Sequence, residues 1–361
     1  MYGYPIIFEE GYEIMFNLLY SCSILILLLL ILCIDIKIER TDQKSDILKR
    51  FNSLRGIFAI EIIVGHVIRY ENTILYPLGK FMIVSVAFFF FISAFGMVYS
   101  FQLKKDYLNG FIVSKCGYLL GIAVVTYLAS IVAAWLVPVD IGYWTGIEFV
   151  ISDFFTETNW YIWELIWFYI MFYVIFRYTH RYRWIYFFIM TMILTTVLFE
   201  LGWPEKWCAS SLAFAFGILY GEHHEKVNGF ICSKKGIVVT CFFVLAGLGS
   251  LLLGMDSLIG VVYLRNIMCI AVLLILINIL GVFKPGNCVL HVLVKYSTEL
   301  YLFQFIYLRI SVGYGWDFKV RMPFVIVMTG MTALVMNPFL TKIKEYLKKV
   351  SFGNKKLQMK K

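Results

Sequence analysis

Long apolar runs alternate along the chain with short polar segments. Eleven apolar spans can be marked, at about 14–36, 51–70, 79–102, 111–136, 159–178, 184–200, 207–221, 236–254, 257–283, 297–312 and 322–340. A helix rises ~1.5 Å per residue and a bilayer core is ~30 Å thick, so roughly 20 apolar residues suffice to cross it. Runs of this length in lipid must satisfy their own backbone polar groups, which a helix does and an open strand does not. The pattern predicts an all-α polytopic membrane protein with about eleven transmembrane helices.

The polar segments give the spans a direction. Lys37, Arg40, Lys44, Lys49 and Arg50 follow the first span, Lys104, Lys105 and Lys115 the third, and Arg177, Arg181 and Arg183 the fifth. Lys226, Lys234 and Lys235 follow the seventh, Lys284 and Lys295 the ninth, and the tail after span eleven carries eight further lysines. The loops between are poor in Lys and Arg, and 138–158 has none. Basic loops face the cytoplasm, which predicts an N-terminus outside and a cytoplasmic C-terminus, in a multi-pass protein of the cell membrane.

Three regions follow from this layout: residues 1–50 with an N-terminal helix and a basic loop, a membrane domain over 51–340, and a basic tail over 341–361. The acidic leader (Glu9, Glu10, Glu13) and the lack of a small-residue cleavage site predict that the first helix is retained. The 138–158 segment, with Asp140, Tyr143, Trp144, Glu148 and Asp153, is expected to lie on the outer surface or to cover a site. The tail from Thr341 is expected to form a short basic amphipathic helix that anchors to anionic lipid.

Composition agrees: 61% of the residues are hydrophobic and 15% charged, against about 25% charged in soluble proteins. The formal net charge of +9 sits in the short loops and the tail, so it does not imply nucleic acid. The eight cysteines are scattered without a CxxC pair, which indicates neither a disulfide framework nor a zinc site, and no metal is expected.

Candidate chemistry is concentrated at 52–66, where Arg55, Glu61 and His66 interrupt an apolar run. Ionisable groups in a membrane segment are costly and mark functional sites by default. Arg55 and His66 are 11 residues apart, nearly on one helix face and about 16 Å apart along the axis. That spacing places Arg55 near the cytoplasmic face and His66 near the midplane. Glu61 points about 140° away from His66, toward another helix, where Arg265 is a candidate partner. A structural ion pair and a functional acid both fit it.

Trp160, Glu164 and Trp167 share one helical face, which suits either binding of sugar hydroxyls or an interfacial aromatic belt. Tyr301 and Gln304 share a face with Ser297 and either line a cavity or bond between helices. Ser93 has no His near it in sequence and is not a candidate nucleophile. His180, His223, His224 and His291 fall in cytoplasmic loops or helix ends, so His66 is the only His placed within a span.

These residues resemble the acyltransferase 3 family of membrane acyltransferases, which O-acetylate surface glycans. Leu54-Arg55-Gly56-Ile57 and Gly65-His66 are similar to the family's Arg-x10-His helix. Phe88 to Phe95 resembles its FF-x-x-SGF segment, Asn159-Trp160-Tyr161-Ile162 its aromatic helix opening, and Ser297 to Gln304 its late S-x-x-x-Y-L-x-H motif. The resemblance covers about 50–340. It implies a ten-helix core, so the first helix is an addition.

It also implies acetyl-CoA as acyl donor, with Arg55 and Lys115 on its phosphates, and catalysis by His66 with Arg55 and Glu61. A glycan or lipid-linked saccharide is the implied acceptor, near Trp160, Tyr161, Glu164, Tyr301 and Gln304. Three positions depart from the pattern: Ala94 replaces a Gly, the basic pair opening the fourth span is reduced to Lys115, and Gln304 replaces a His. The alternatives are a flippase of a lipid-linked saccharide, or an inactive family member serving a polysaccharide synthesis complex. No inverted repeat or paired broken helices mark a flippase.

Overall fold

The computed structural model of the protein describes residues 19, 22–24, 26–70, 79–139, 154–155 and 159–358. Most of the predicted outer loop 138–158 lies outside the described residues, as does the start of the first span. The helices are α1 (Cys22–Cys33), α2 (Lys44–Ser53), α3 (Arg55–Tyr70), α4 (Met82–Leu103), α5 (Phe111–Leu136), α6 (Trp160–Tyr178) and α7 (Arg183–Glu200). They continue with α8 (Leu212–Ile231), α9 (Lys234–Leu252), a π-helical turn (Ile259–Arg265) leading into α10 (Asn266–Val282), α11 (Cys288–Gly313) and α12 (Phe318–Gln358). Among the described residues the one sheet is a pair of two-residue strands, β1 (Lys37–Ile38) antiparallel to β2 (Phe283–Lys284), with Lys37 opposite Lys284.

Eight helical stretches among the described residues are long and apolar enough to cross a membrane: 44–69, which joins α2 and α3, then α4, α5, α6, α7, α9, the π-turn with α10, and α12 as far as Val350. The fold is thus that of an all-α polytopic membrane protein. α8 and α11 are as long as their neighbours but more polar. Their polar residues are affordable because many of them point into protein: Ser297, Glu299, Gln304 and Ser311 of α11 are all buried.

The centre of the bundle is α4. Four consecutive phenylalanines, Phe88 to Phe91, cover every side of a helix, so this segment is hydrophobic all round and buried all round. Phe51 packs on Phe91 with ring centroids 5.0 Å apart, and Phe216 and Tyr220 of α8 stack on the same ring. The approach of α8 to α4 depends on Gly217. A Cβ there would sit 2.5 Å from the Phe91 carbonyl oxygen and 2.8 Å from the Ala94 Cβ. Gly217→Ala is therefore expected to destabilise the protein by about 1–3 kcal/mol through overpacking, read as a lower unfolding midpoint in detergent. The Ala94 that departs from the family pattern stands at this same contact.

Three boundaries differ from those drawn on hydropathy. α11 begins at Cys288, nine positions before the expected 297, because Asn287 caps it: its Oδ1 accepts from the Leu290 N–H at 2.9 Å. His291 consequently lies in the first turn of α11, not in a loop. α8 runs on to Ile231 with a kink at His223, whose backbone is non-helical (φ −128°, ψ 35°), so both His223 and His224 lie within the run of α8 and not beyond its end. The tail forms no separate helix. No Gly or Pro interrupts Thr341 to Lys349, and α12 continues to Gln358.

The N-terminal addition is tied to the core on the basic-loop side. The Asn287 amide donates to the carbonyls of Ile31 and Ile34 at the end of α1, at 2.7 and 3.2 Å. Arg50, buried in α2, donates to the Glu39 and Leu280 carbonyls, and Lys284 pairs with Glu39 at 2.9 Å. That lysine holds the exposed Glu39 carboxyl below its ordinary range.

Candidate active site

A cavity of about 1200 Å³ opens between α3, α4, α5, α6, α11 and α12. Most known small-ligand sites hold ~300–1,000 Å³, so this one is large. Its chemistry is divided. At one end are the helix termini and their cations, Lys104 after α4, Lys115 at the start of α5, and Lys344 and Lys348 late in α12. At the other are rings: Phe89, Tyr161 and Tyr301.

Arg55 is the first residue of α3 and lines this cavity. It is placed there by Gly56, where a Cβ would fall 2.3 Å from the Leu293 Cβ and 2.6 Å from its carbonyl carbon. The start of α3 therefore rests directly on α11. The guanidinium donates to Thr298 Oγ1 at 3.3 Å, while its Nε is buried and has no hydrogen-bond partner among the described residues. Lys115 stands within electrostatic reach of Lys104, Lys344 and Lys348. Arg55 and Lys115, paired in the sequence reading, do share one chamber.

At the aromatic end the Tyr161 and Tyr301 rings meet with centroids 5.0 Å apart, and Phe89 lies 6.2 Å from Tyr301. Ser93 shares hydrogen bonds with Tyr161 and Tyr169. Behind this wall, outside the cavity lining, are Trp160, Glu164 and Gln304. Ser211 donates to one Glu164 oxygen at 2.5 Å, and the Gln304 amide donates to the Tyr301 carbonyl at 2.9 Å. The second Glu164 oxygen and the Gln304 Oε1 are buried without hydrogen-bond partners among the described residues.

The expected face of Trp160, Glu164 and Trp167 is split. Trp160 is buried against Trp207, with centroids 6.1 Å apart, whereas Trp167 is 48% exposed on the outside of the bundle. The segment entering α8 covers the shared face only at the start of α6. Glu164 thus has an indole on one side, Trp160, and not on both.

His66 does not line the cavity. It lies four residues from the end of α3 and packs against Phe305, with ring centroids 4.7 Å apart. Phe305 is one turn of α11, about 6 Å of rise, beyond Tyr301 at the aromatic end. His66 thus meets α11 one turn beyond a residue that lines the chamber. His66 is half-buried. The position is nearer the far end of α3 than its middle.

Glu61 does not meet Arg265. Ser85 of α4 donates to the Glu61 carboxylate. Arg265, fully buried at the end of the π-turn, pairs instead with Glu205 and with Asp256, the latter at 2.8 Å. Both carboxylates come from the short connections flanking α8 and α9, which reach Arg265 more directly than the middle of α3 can.

The next residue, Asn266, holds the other end of the same connection. Its Nδ2 donates to the Cys208 carbonyl at 2.5 Å and its Oδ1 accepts from the Leu212 N–H at 2.9 Å. Arg265 and Asn266 therefore clamp 205–212, which carries Ser211 to Glu164, Trp207 to Trp160, and Lys206 into electrostatic reach of His66. Asn266→Ala leaves two buried backbone groups unpaired at about 1–3 kcal/mol each. The expected result is a lowered unfolding midpoint, with the signal of Trp207 or Trp160 more exposed in tryptophan fluorescence.

Pattern alone does not reveal the clamp, Ser211 or the contribution of Lys344 and Lys348, and it gives Ser93 no partner, whereas the fold bonds Ser93 to Tyr161 and Tyr169. The lysine pair is visible as an i,i+4 spacing in a stretch, 341–349, that has no Gly or Pro.

The family model of an acyltransferase domain, that of the acyltransferase 3 family, matches residues 48–337. No curated protein and no solved structure matches the chain.

Proposed function

The chain belongs to the acyltransferase 3 family of membrane acyltransferases, and on that premise we propose that it moves an acetyl group from acetyl-CoA to a hydroxyl of a surface or lipid-linked polysaccharide. The observation that carries the reading is the divided cavity, cationic where Arg55 and Lys115 lie and aromatic one helical turn short of His66. Acetyl-CoA is a substrate of matching form. It has a polyanionic nucleotide end, a long thin arm, and a thioester at the tip. With the phosphates by Arg55 and Lys115, the arm runs along α3 toward His66, over about 16 Å of helix rise.

The chemistry needs a base, a pathway for the thiol and a place for the developing oxyanion. In this reading His66 takes the proton of the acceptor hydroxyl as the oxygen attacks the thioester carbonyl. When the tetrahedral intermediate collapses, the C–S bond breaks and the same proton passes to the leaving thiolate. The hydroxyls of Tyr161 and Tyr301 donate to the oxyanion. Trp160, Glu164 and Gln304, buried behind those rings and outside the cavity lining, hold them in position rather than touching the acceptor. Glu61, bonded to Ser85, fixes the rotation of α3 that aims His66.

The topology fits this assignment when all eleven spans cross, with the N-terminus outside and the basic loops in the cytoplasm, where acetyl-CoA is made. Residues 51–340 then form the transferase, 1–50 its added helix, and the protein lies in the cell membrane.

Mass spectrometry of surface glycans from cells with and without the protein tests the proposal. An acetyl-sized mass difference on a glycan is expected. Identical glycans in the two strains contradict it, and would favour an inactive family member.

A further inference from the structure

The family domain ends at residue 337, yet the cavity does not. Thr341, Lys344 and Lys348 lie beyond that end and line the cavity as well. They reach it because α12 continues without a break and packs along α5. Ile343 comes within 3.7 Å of the place a Cβ would take at Gly121, and Leu347 within 4.0 Å of that at Gly117. Lys344 and Lys348 are one turn apart on one face of α12. The Lys344 ammonium lies 5.6 Å from the centre of the Tyr118 ring of α5.

The charge on the lining is unbalanced. Seven cations line the cavity (Arg55, Lys104, Lys105, Lys115, Lys295, Lys344 and Lys348) against two carboxylates, Asp106 and Glu299. One oxygen of Glu299 already accepts from Asn337 at 2.9 Å. Like charges gathered beside a low-dielectric bundle repel one another, and a bound polyanion reverses the sign of that energy. Lys344 and Lys348 stand within electrostatic reach of Lys115, so the tail adds its charge to that of the start of α5.

We propose that Lys344 and Lys348 join Lys104 and Lys115 in a polyphosphate-binding site at the mouth of the cavity, and that this site holds the nucleotide end of the acyl donor. The assignment of the ligand rests on the acetyl-CoA reading above; the site itself does not. Phosphate could also reach these lysines as an anionic lipid headgroup, and the test separates the two sources.

The experiment is a binding titration of the purified full-length protein in neutral detergent, with coenzyme A and with inorganic tripolyphosphate. A parallel arm uses nanodiscs with and without phosphatidylglycerol. The double variant Lys344→Ala/Lys348→Ala is expected to bind both soluble ligands at least tenfold more weakly. Lys344→Arg/Lys348→Arg is expected to bind them as the native protein does. Lys342→Ala/Lys349→Ala, which removes two tail lysines outside the cavity lining, is expected to change neither.

Native affinity in the Lys344→Ala/Lys348→Ala variant overturns the inference and spares the donor reading. An equal loss in the Lys342→Ala/Lys349→Ala control overturns it as a mere effect of tail charge. Coenzyme A binding that phosphatidylglycerol abolishes in the native protein, and not in the double variant, assigns the lysines to lipid and overturns the donor end of the inference. Lysine-dependent binding of tripolyphosphate without any binding of coenzyme A sustains the polyphosphate site and overturns the acetyl-CoA reading.

Discussion

His66→Ala is expected to abolish acetyl transfer while leaving coenzyme A affinity within about a factor of two. A positioned general base contributes about 10²–10⁴-fold to a proton-transfer step. The residue that would share the work in the family pattern is Gln304, which forms hydrogen bonds but cannot shuttle a proton. The structure adds the reason binding survives: His66 packs on Phe305 and lies outside the cavity lining. Parallel measurement of donor dissociation constant and turnover in detergent checks both halves. A His66 that served only to pack α3 against α11 would lower stability and affinity together, without this separation.

Arg55→Ala is expected to give the complementary result. Hydrogen bonds to charged groups contribute about 1.5–3 kcal/mol, so coenzyme A should bind about 10–100-fold more weakly. At saturating donor, turnover should recover much of its native value. Arg55→Lys should restore only part of the affinity, because an ammonium lacks the planar fork that meets phosphate with two parallel bonds. The setting of Arg55 supports so large an effect: it is held at the first turn of α3, its Nε is buried without a hydrogen-bond partner among the described residues, and its guanidinium donates to Thr298 Oγ1 at 3.3 Å. A binding isotherm for each variant, paired with initial rates at several donor concentrations, resolves affinity from turnover.

Much of this was legible in the chain. Apolar runs of membrane length fixed the fold class, and Arg55, Glu61 and His66 stood out because charge inside such a run is expensive. Lys115, Tyr161 and Tyr301 were placed in a site by pattern, and the structure sets all three in the cavity with Arg55. What failed was partner assignment. Glu61 was matched with Arg265 on chemistry alone, and only the fold reveals that Ser85 is nearer and that Glu205 and Asp256 occupy the arginine. Helical periodicity put Trp167 beside Trp160, since it describes one helix and is blind to where its neighbour ends. Likewise α8 and α11 are more polar than the other spans, because several of their polar residues face protein and expose no charge to lipid. The lysines of the tail point by charge alone to a lipid anchor, and only the continuation of α12 past residue 341 brings Lys344 and Lys348 to the cavity.

The central claim is that one chain joins a donor held at the cationic end of the cavity to an acceptor near His66. Sealed vesicles of known orientation, containing the acceptor glycan and given labelled acetyl-CoA on the basic-loop side alone, test it most directly. Label is predicted to appear on glycan hydroxyls in native vesicles, to be lost in His66→Ala vesicles, and to require more donor in Arg55→Ala vesicles. Full labelling by the His66→Ala protein, or labelling only when donor is supplied on the opposite side, would contradict the account.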